Sequence, residues 1–324
     1  MLMGSVASHP GICRTFQTRG LSMPGTETAR TLRYRLEYAL FMGVFAILNL
    51  LPFRQRTAFM AWTMSRVVGP LVGYRKRARE NLARLWPELS AERRNTITTD
   101  VMRNVGRTIC ELFSPHDLLA LAQRTDLTGP GLAALQEARA ANRPAIVISG
   151  HFGNYDIVRA KLIAEGFDVG ALYRHMNNPY FHDFYLRNIS TIGEPLFERG
   201  RPGLGAMVRH LKQGGTLAAL IDVRANSGIP LPFIGQEALT ATSMAELALR
   251  YDAVLIPFYG TRLPGGQAFT AELEAPIPHT DPVTMTKALN LSLEARIRKN
   301  PEQWFWIHNR WKGAAHAPPP ATEP

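Results

Sequence analysis

Cysteine is scarce in this 324-residue chain, which holds only Cys13 and Cys110. Two distant thiols give neither a disulfide framework nor a metal-ligand spacing, and they fit a reducing compartment. Acidic side chains are also in short supply, 26 Asp and Glu against 37 Lys and Arg, for a net charge of +11. A surplus of that sign suits an anionic membrane face, an acidic partner or nucleic acid. Nucleic acid is set aside because no helix-turn-helix, zinc-finger or RNP-type pattern occurs. No G-x-S-x-G elbow is present, since Ser149 precedes Gly150-His151 in the wrong register for one. The Gly-rich stretch Pro195–Gly205 is not G-x-G-x-x-G, because Val208 stands at the third glycine position. No repeat at a solenoid period is visible. Residues 1–29 lack the compact apolar core of a signal peptide and read as disordered.

With 46% hydrophobic residues, the chain can bury one large core or two smaller ones. Tyr38–Phe53 is uncharged throughout, with Arg30, Arg33 and Arg35 before it and Arg54 and Arg56 after. As a helix it reaches about 24 Å, short of the roughly 30 Å hydrocarbon core of a bilayer. Basic residues at both ends give no orientation. Residues 30–73 are therefore expected to form a helical membrane-associating region, monotopic or re-entrant, with a buried core helix as the ordinary alternative. Tyr74–Trp86 follows as a basic helix whose Arg75, Lys76, Arg77 and Arg79 suit lipid headgroups or phosphates, or form a plain solvated face. The Pro-rich tail, residues 313–324, reads as disordered.

From Ala145 onward strands and helices alternate. The pattern predicts strands near 145–149, 168–173, 194–198, 216–221, 254–260, 268–274 and 304–310. Helices are expected near 154–165, 179–190, 203–213, 240–251 and 284–299. Strands separated by helical patterns imply an α/β fold with a largely parallel central sheet flanked by helices, over residues 74–312.

The most informative stretch is Arg143–Asp156. Ala145–Ile148 is an apolar, β-branched run, Gly150 breaks it, and apolar positions fall at helical spacing from Tyr155. His151 thus lies in a strand-to-helix turn and Asp156 in the first helical turn. The two can meet if the chain doubles back through Gly153 and Asn154, which tolerate unusual backbone angles. Asp156 then accepts from one imidazole nitrogen and leaves the other free as a base, a triad without its serine.

Other candidates stand at predicted strand ends, where open α/β sheets bind ligands. Arg174 follows one strand and can pair with a phosphate. Arg199 lies in the Gly-rich loop entering a helix. Asp222 and Arg224 stand at the end of the 216–221 strand, where one can simply neutralise the other. Alternation along Trp304–Trp311 places Trp304, Trp306, His308 and Arg310 on one face. His175, His182 and Asp183 match no metal-ligand spacing.

Taken in order, several short motifs resemble the lipid A biosynthesis (late) acyltransferases of Gram-negative bacteria, within the H-x4-D/E glycerolipid acyltransferase group. They are Glu80-Asn-Leu with Trp86-Pro-Glu88, Ser149-Gly-His-Phe-Gly-Asn-Tyr-Asp156 and Asn177-Asn-Pro179. Gly228-Ile-Pro-Leu-Pro-Phe233, Ala238-Leu-Thr240, Pro301-Glu-Gln-Trp304 and His308-Asn-Arg-Trp311 complete the set. The family often has Asp-Gln where this chain has Asp222-Val223. The resemblance spans about residues 30–312. It implies transfer of a fatty acyl group from an acyl-carrier-protein thioester to a hydroxyl on a 3-hydroxyacyl chain of a lipid A precursor. It is consistent with His151 as general base oriented by Asp156, while the residues themselves offer Arg174, Arg199, Asp222, Arg224 and Arg310 as substrate contacts. Neither cofactor nor metal is implied, and the location would be the inner membrane beside anionic lipids, with the site facing the cytoplasm. A glycerol-phosphate acyltransferase would share His151 and Asp156 but should carry a Phe-Pro-Glu-Gly-Thr-Arg-like stretch, which is absent. A non-catalytic membrane tether would explain the basic N-terminal region and leave His151 and Asp156 idle.

Overall fold

Helix α1 starts at Pro24 and runs to Leu48 in the computed structural model, which describes residues 24–312. Its first turns therefore fall inside the segment expected to be disordered. Residues 1–23 and 313–324, the remainder of the two terminal segments, lie outside the described residues. Pro52 separates α1 from α2 (Phe53–Thr63), a π-helical turn (Met64–Val68) and the short α3 (Gly69–Leu71). Three longer helices follow: α4 (Tyr74–Leu85), α5 (Ala91–Leu112) and α6 (Pro115–Gln123). Ser90 caps α5 by accepting from the Arg93 N–H, and Ile97, Val101 and Met102 supply its buried face. Among the described residues no helix is long and apolar enough to cross a membrane.

The sheet begins with β1 (Leu127–Thr128), followed by α7 (Gly131–Ala140), β2 (Ala145–Ser149), α8 (Tyr155–Ala164), β3 (Val169–Tyr173) and α9 (Pro179–Ile192). Then come β4 (Leu196–Glu198), α10 (Arg201–Lys212) and β5 (Thr216–Leu220). A hairpin of β6 (Ile229–Phe233) and β7 (Gln236–Thr240) leads to α11 (Ser243–Tyr251), β8 (Val254–Arg262), β9 (Phe269–Leu273) and α12 (Pro282–Lys299). The seven-stranded sheet runs β1-β9-β8-β2-β5-β3-β4, parallel at every pairing except β8 with β9. The α/β class with a mostly parallel sheet is as expected.

β2 lies at the centre and is buried along its whole length. Its alternate side chains point to opposite faces. Val147 packs with Leu135 of α7 and Val158 and Leu162 of α8. Ile146 and Ile148 pack with Leu211 of α10, Ala248 of α11 and Leu289 of α12. Helices thus cover both faces, which a parallel sheet requires.

The last predicted strand, 304–310, is absent. A 3₁₀ turn (Pro301–Gln303) precedes it, Trp304 makes one isolated bridge to Phe152, and the Trp306 N–H turns back to the Trp304 carbonyl at 3.0 Å. Trp304, Trp306, Ile307 and Trp311 are all buried, so the segment packs on every side and has no single sheet face. The hairpin, by contrast, reads in sequence as a Pro-punctuated loop. Pro230 and Pro232 are tolerated because they point outward on a two-stranded ribbon while Leu231 and Phe233 are buried.

α5 is tied to the sheet by a dry ion pair. Arg262 at the end of β8 donates from Nη1 and Nη2 to Glu111, the second bond at 2.8 Å, and Asn154 donates to the same carboxylate at 2.7 Å. Glu111 is 1% and Arg262 5% exposed. Replacing Glu111 by Ala strands a buried guanidinium and unties Asn154. The expected loss is about 3–5 kcal/mol of unfolding free energy. Urea denaturation would read it, and a loss under about 1 kcal/mol would show that water reaches the pair.

Candidate functional site

β2 and β5 pair in parallel with Ser149 opposite Leu220, their last residues. Two residues further along each chain stand His151 and Asp222. The register alone therefore brings them together at the carboxyl ends of the strands. His151 Nδ1 lies 2.8 Å from Asp222 Oδ1, and the His151 backbone N–H donates to Oδ2 at 2.7 Å. The Trp304 indole N–H donates to the same Oδ2 at 2.9 Å. A Cβ at Gly150 would meet a Leu293 methyl at 2.6 Å and crowd the Asp222 carboxylate at 3.1 Å, so a side chain there would press on both.

The loop after β2 is held from several sides. Gly153 takes a positive φ of 55°, and a Cβ there would strike the Gly260 carbonyl. Its N–H donates to the Gln303 carbonyl, the Asn154 N–H to the Gly260 carbonyl, and the Phe305 N–H to the His151 carbonyl. Asn154 also caps α8 through its side chain.

Burial lowers the pKa of His151, but the Asp222 carboxylate bonded to Nδ1 outweighs it and leaves a net rise. Burial likewise pushes Asp222 up, and the neighbouring His151 more than reverses this, so Asp222 stays ionised far below the usual range. His308 completes the group, its ring 4.8 Å from that of His151 and its Nε2 3.9 Å from Asp222 Oδ2. Burial drops its pKa to about 4, so it is neutral near pH 7.

The imidazole bond that the sequence pattern assigned to Asp156 goes to Asp222 instead, at Nδ1. Because Asn154 starts α8 at Tyr155, Asp156 is already fixed in the helix, with its N–H on Asn154 Oδ1. Its carboxylate acts on His151 only at longer range. Burial raises Asp156 to about 6, against the opposing pull of Arg159 and His151. Asp222, expected to touch substrate or neutralise Arg224, is turned to His151, and Arg224 bonds Asn226 at 2.8 Å. Arg310 also departs from the expected substrate contact. Its guanidinium is fully buried and donates to the Leu239 carbonyl and to Thr240 Oγ1, tying the C-terminal segment to β7 rather than facing a ligand.

Arg174 and Arg199 are both exposed, just beyond the ends of β3 and β4. Those strands stand second and third from β2, at roughly 5 Å per strand. The two arginines thus flank the His151 end of the sheet without touching His151. Trp304 and His308 read in the sequence as parts of a strand face that can wall a site or simply cap a sheet core. Their role at Asp222 depends on the bent path of the C-terminal segment, which alternation does not encode.

The sequence model of the bacterial lipid A biosynthesis acyltransferases matches residues 23–313. Among curated proteins, the lipid A biosynthesis lauroyltransferase of Escherichia coli is 25% identical over 243 residues, covering 72% of this chain and 77% of its own length. The lipid A biosynthesis palmitoleoyltransferase of Escherichia coli is 26% identical over 250 residues, 72% and 78% of the two chains. The phosphatidylinositol mannoside acyltransferase of Mycobacterium tuberculosis is 22% identical over 301 residues, 90% and 94%.

The raised pKa of Asp156 has a consequence for stability. The folded state holds the Asp156 proton more tightly than the unfolded chain, where a carboxyl titrates near 3.9. Stability is therefore lost as pH rises from about 4 to about 6, and the penalty persists above. The gap of about two pH units corresponds to at most about 3 kcal/mol. Asp156→Asn should melt higher than the parent at pH 8 and alike at pH 4. Equal melting at both would show a solvated Asp156.

Proposed function

The chain belongs to the bacterial lipid A biosynthesis acyltransferase family, and from that premise we propose an acyl-carrier-protein-dependent transfer in which His151 is the general base. The acceptor is a hydroxyl on a 3-hydroxyacyl chain of a lipid A precursor. The observation that carries this reading is the His151–Asp222 pair, with one imidazole nitrogen engaged by a buried carboxylate and the other making no hydrogen bond among the described residues. The free nitrogen takes the acceptor proton as the oxygen attacks the thioester carbonyl. The tetrahedral intermediate collapses, the C–S bond breaks, and the imidazolium returns its proton to the leaving thiolate. Asp222 holds the ring and balances the imidazolium charge, as the acid of a triad does. Asp156 adds a weaker field, and no protein nucleophile takes part. Arg174 and Arg199 are the cationic groups at the end of the sheet for an acceptor phosphate or the oxyanion.

The acidic carrier meets a chain of net charge +11, which favours encounter at low salt. Membrane attachment is read from α1 to α4. Tyr38, Phe41 and Phe45 of α1 pack against Phe184 of α9, while Leu32, Leu36, Leu40, Val44 and Ile47 form an exposed stripe at helical spacing. Trp62, Leu71 and Val72 are exposed too, and exposed Lys76, Arg77 and Arg79 follow directly. Apolar side chains beside cations suit a helical surface lying in an anionic bilayer interface on the cytoplasmic side of the inner membrane.

Single-turnover transfer from radiolabelled acyl-carrier-protein thioester tests the chemistry. His151→Ala should lose roughly 10²–10⁴ in rate while remaining folded. Asp222→Asn should be impaired more than Asp156→Asn, because only Asp222 bonds the ring. Full activity of folded His151→Ala would refute the mechanism. Transfer to phosphatidylinositol mannoside alone would replace the acceptor.

Vesicle co-sedimentation tests the membrane surface. Glu at both Leu40 and Leu71, each well exposed, should leave the fold intact and weaken binding to phosphatidylglycerol vesicles at least tenfold. Unchanged binding would place the docking surface elsewhere.

A further inference from the structure

Asp222 is shared by two imidazoles, and the proposed chemistry uses one of them. His308 Nε2 is buried without a hydrogen-bond partner among the described residues and lies 3.9 Å from Asp222 Oδ2. One ring nitrogen of His151, one Asp222 oxygen and one ring nitrogen of His308 all lie within 4.8 Å of one another. His308 is 157 residues from His151 in sequence and Asp222 is 71 away, so no ligand spacing reveals the set.

We propose that His151, Asp222 and His308 form an inhibitory binding site for a divalent transition-metal ion of the zinc class. Two imidazoles and one carboxylate with an open fourth position are a frequent zinc donor set, at about 2.0–2.2 Å each. Donors around such an ion stand about 3.3 Å apart, as follows from tetrahedral geometry at those lengths. His151 Nδ1 lies 2.8 Å from Asp222 Oδ1 and His308 Nε2 lies 3.9 Å from Asp222 Oδ2, values that bracket that separation at the two oxygens of one carboxylate, and the three donors already stand within 4.8 Å of one another.

The donors are also held in place from outside. The His151 N–H and the Trp304 indole fix one carboxylate oxygen, and such outer contacts orient a metal-binding carboxylate. Phe305 packs edge-on against the His308 ring with centroids 4.7 Å apart, and the His308 N–H donates to the Phe305 carbonyl. His151 keeps 30% of its side-chain surface, which leaves a way in. Magnesium and calcium prefer all-oxygen sets, so two ring nitrogens select against them.

A bound ion takes the Nδ1 lone pair and the charge of Asp222. With the ion on Nδ1 the ring's one proton sits on Nε2, so that nitrogen can no longer accept a proton. The inhibitory part rests on His151 being the base. Binding itself does not.

Cobalt(II) is added to the purified full-length protein in neutral detergent, and the visible absorption of four-coordinate cobalt is followed, with zinc(II) as competitor. The expected result is one equivalent bound with an intense four-coordinate spectrum, displaced by zinc. In His308→Ala, and in His308→Gln should the first fail to fold by circular dichroism, affinity should fall at least tenfold. No such spectrum, or the same spectrum and affinity in the folded His308 variant, would overturn the site whatever the acyl-transfer activity. In the transfer assay zinc should inhibit the parent reversibly to a chelator, and ten times more should be needed against the residual activity of the His308 variant. Binding without inhibition would overturn the inhibitory role, while the kinetics of His151→Ala judge the base separately.

Discussion

Asp222 is a negative charge with almost no water around it, and the shape of its surroundings follows from that constraint. A buried carboxylate is tolerable only when its oxygens accept several hydrogen bonds and a partner can carry the opposite charge. Two donors come from His151, backbone and ring, which requires β2 and β5 to end level with one another. A third comes from the Trp304 indole, which requires the C-terminal segment to abandon a regular strand and bend over the sheet end. Gly150 leaves room beside the carboxylate, since a Cβ there would crowd it at 3.1 Å and a Leu293 methyl at 2.6 Å.

Two acids sit near one imidazole and are pushed in opposite directions. Asp222, bonded to the ring and to N–H groups, is held ionised. Asp156, buried without such bonds to its carboxylate beyond the field of Arg159 and His151, is raised to about 6. Separation of this kind is how a site assigns different tasks to like groups. On the proposed mechanism Asp222 supplies a permanent counter-charge, whereas Asp156 supplies one that depends on pH. A short-range bond and a longer-range field answer different needs. Orienting a ring demands the first, and stabilising a transient imidazolium is served by both.

Much of the sheet was legible because a parallel strand buried on both faces, such as Ala145–Ser149, is a short apolar run bounded by turn residues. His151 was legible for the same reason, as the first polar side chain beyond such a run. Its partner was not. Asp156 is close in sequence and Asp222 is distant, and local spacing cannot say that β5 inserts next to β2 ahead of β3. The β6–β7 hairpin was hidden by Pro230 and Pro232, which look like loop residues until one sees that they point outward. The aromatic segment misled in the other direction. Alternating tryptophans resemble a strand face, but their spacing arose from packing on all sides. Arg310 shares that origin, since a guanidinium satisfied by Leu239 and Thr240 is a structural tie.

The same packing logic links the N-terminal helices to the site. α1 places aromatic rings against α9 and leaves an aliphatic stripe outside, which suits the membrane attachment proposed above. Asn178, which caps α9 just beyond the carboxyl end of β3, also donates to the Tyr34 carbonyl of α1 at 3.1 Å, and Arg35 bonds Tyr180 at 2.8 Å. The stripe is therefore fastened to the sheet end that carries His151, not to the opposite end. For an acceptor whose reactive hydroxyl sits on a lipid chain, that placement matters physically. Withdrawing such a chain into water would cost about 0.8 kcal/mol for every methylene exposed. An apolar surface adjoining the reactive end lets the hydroxyl approach the base while most of the chain stays in the bilayer. On this reading the helix that holds the enzyme to the membrane also sets the height at which the imidazole meets its substrate.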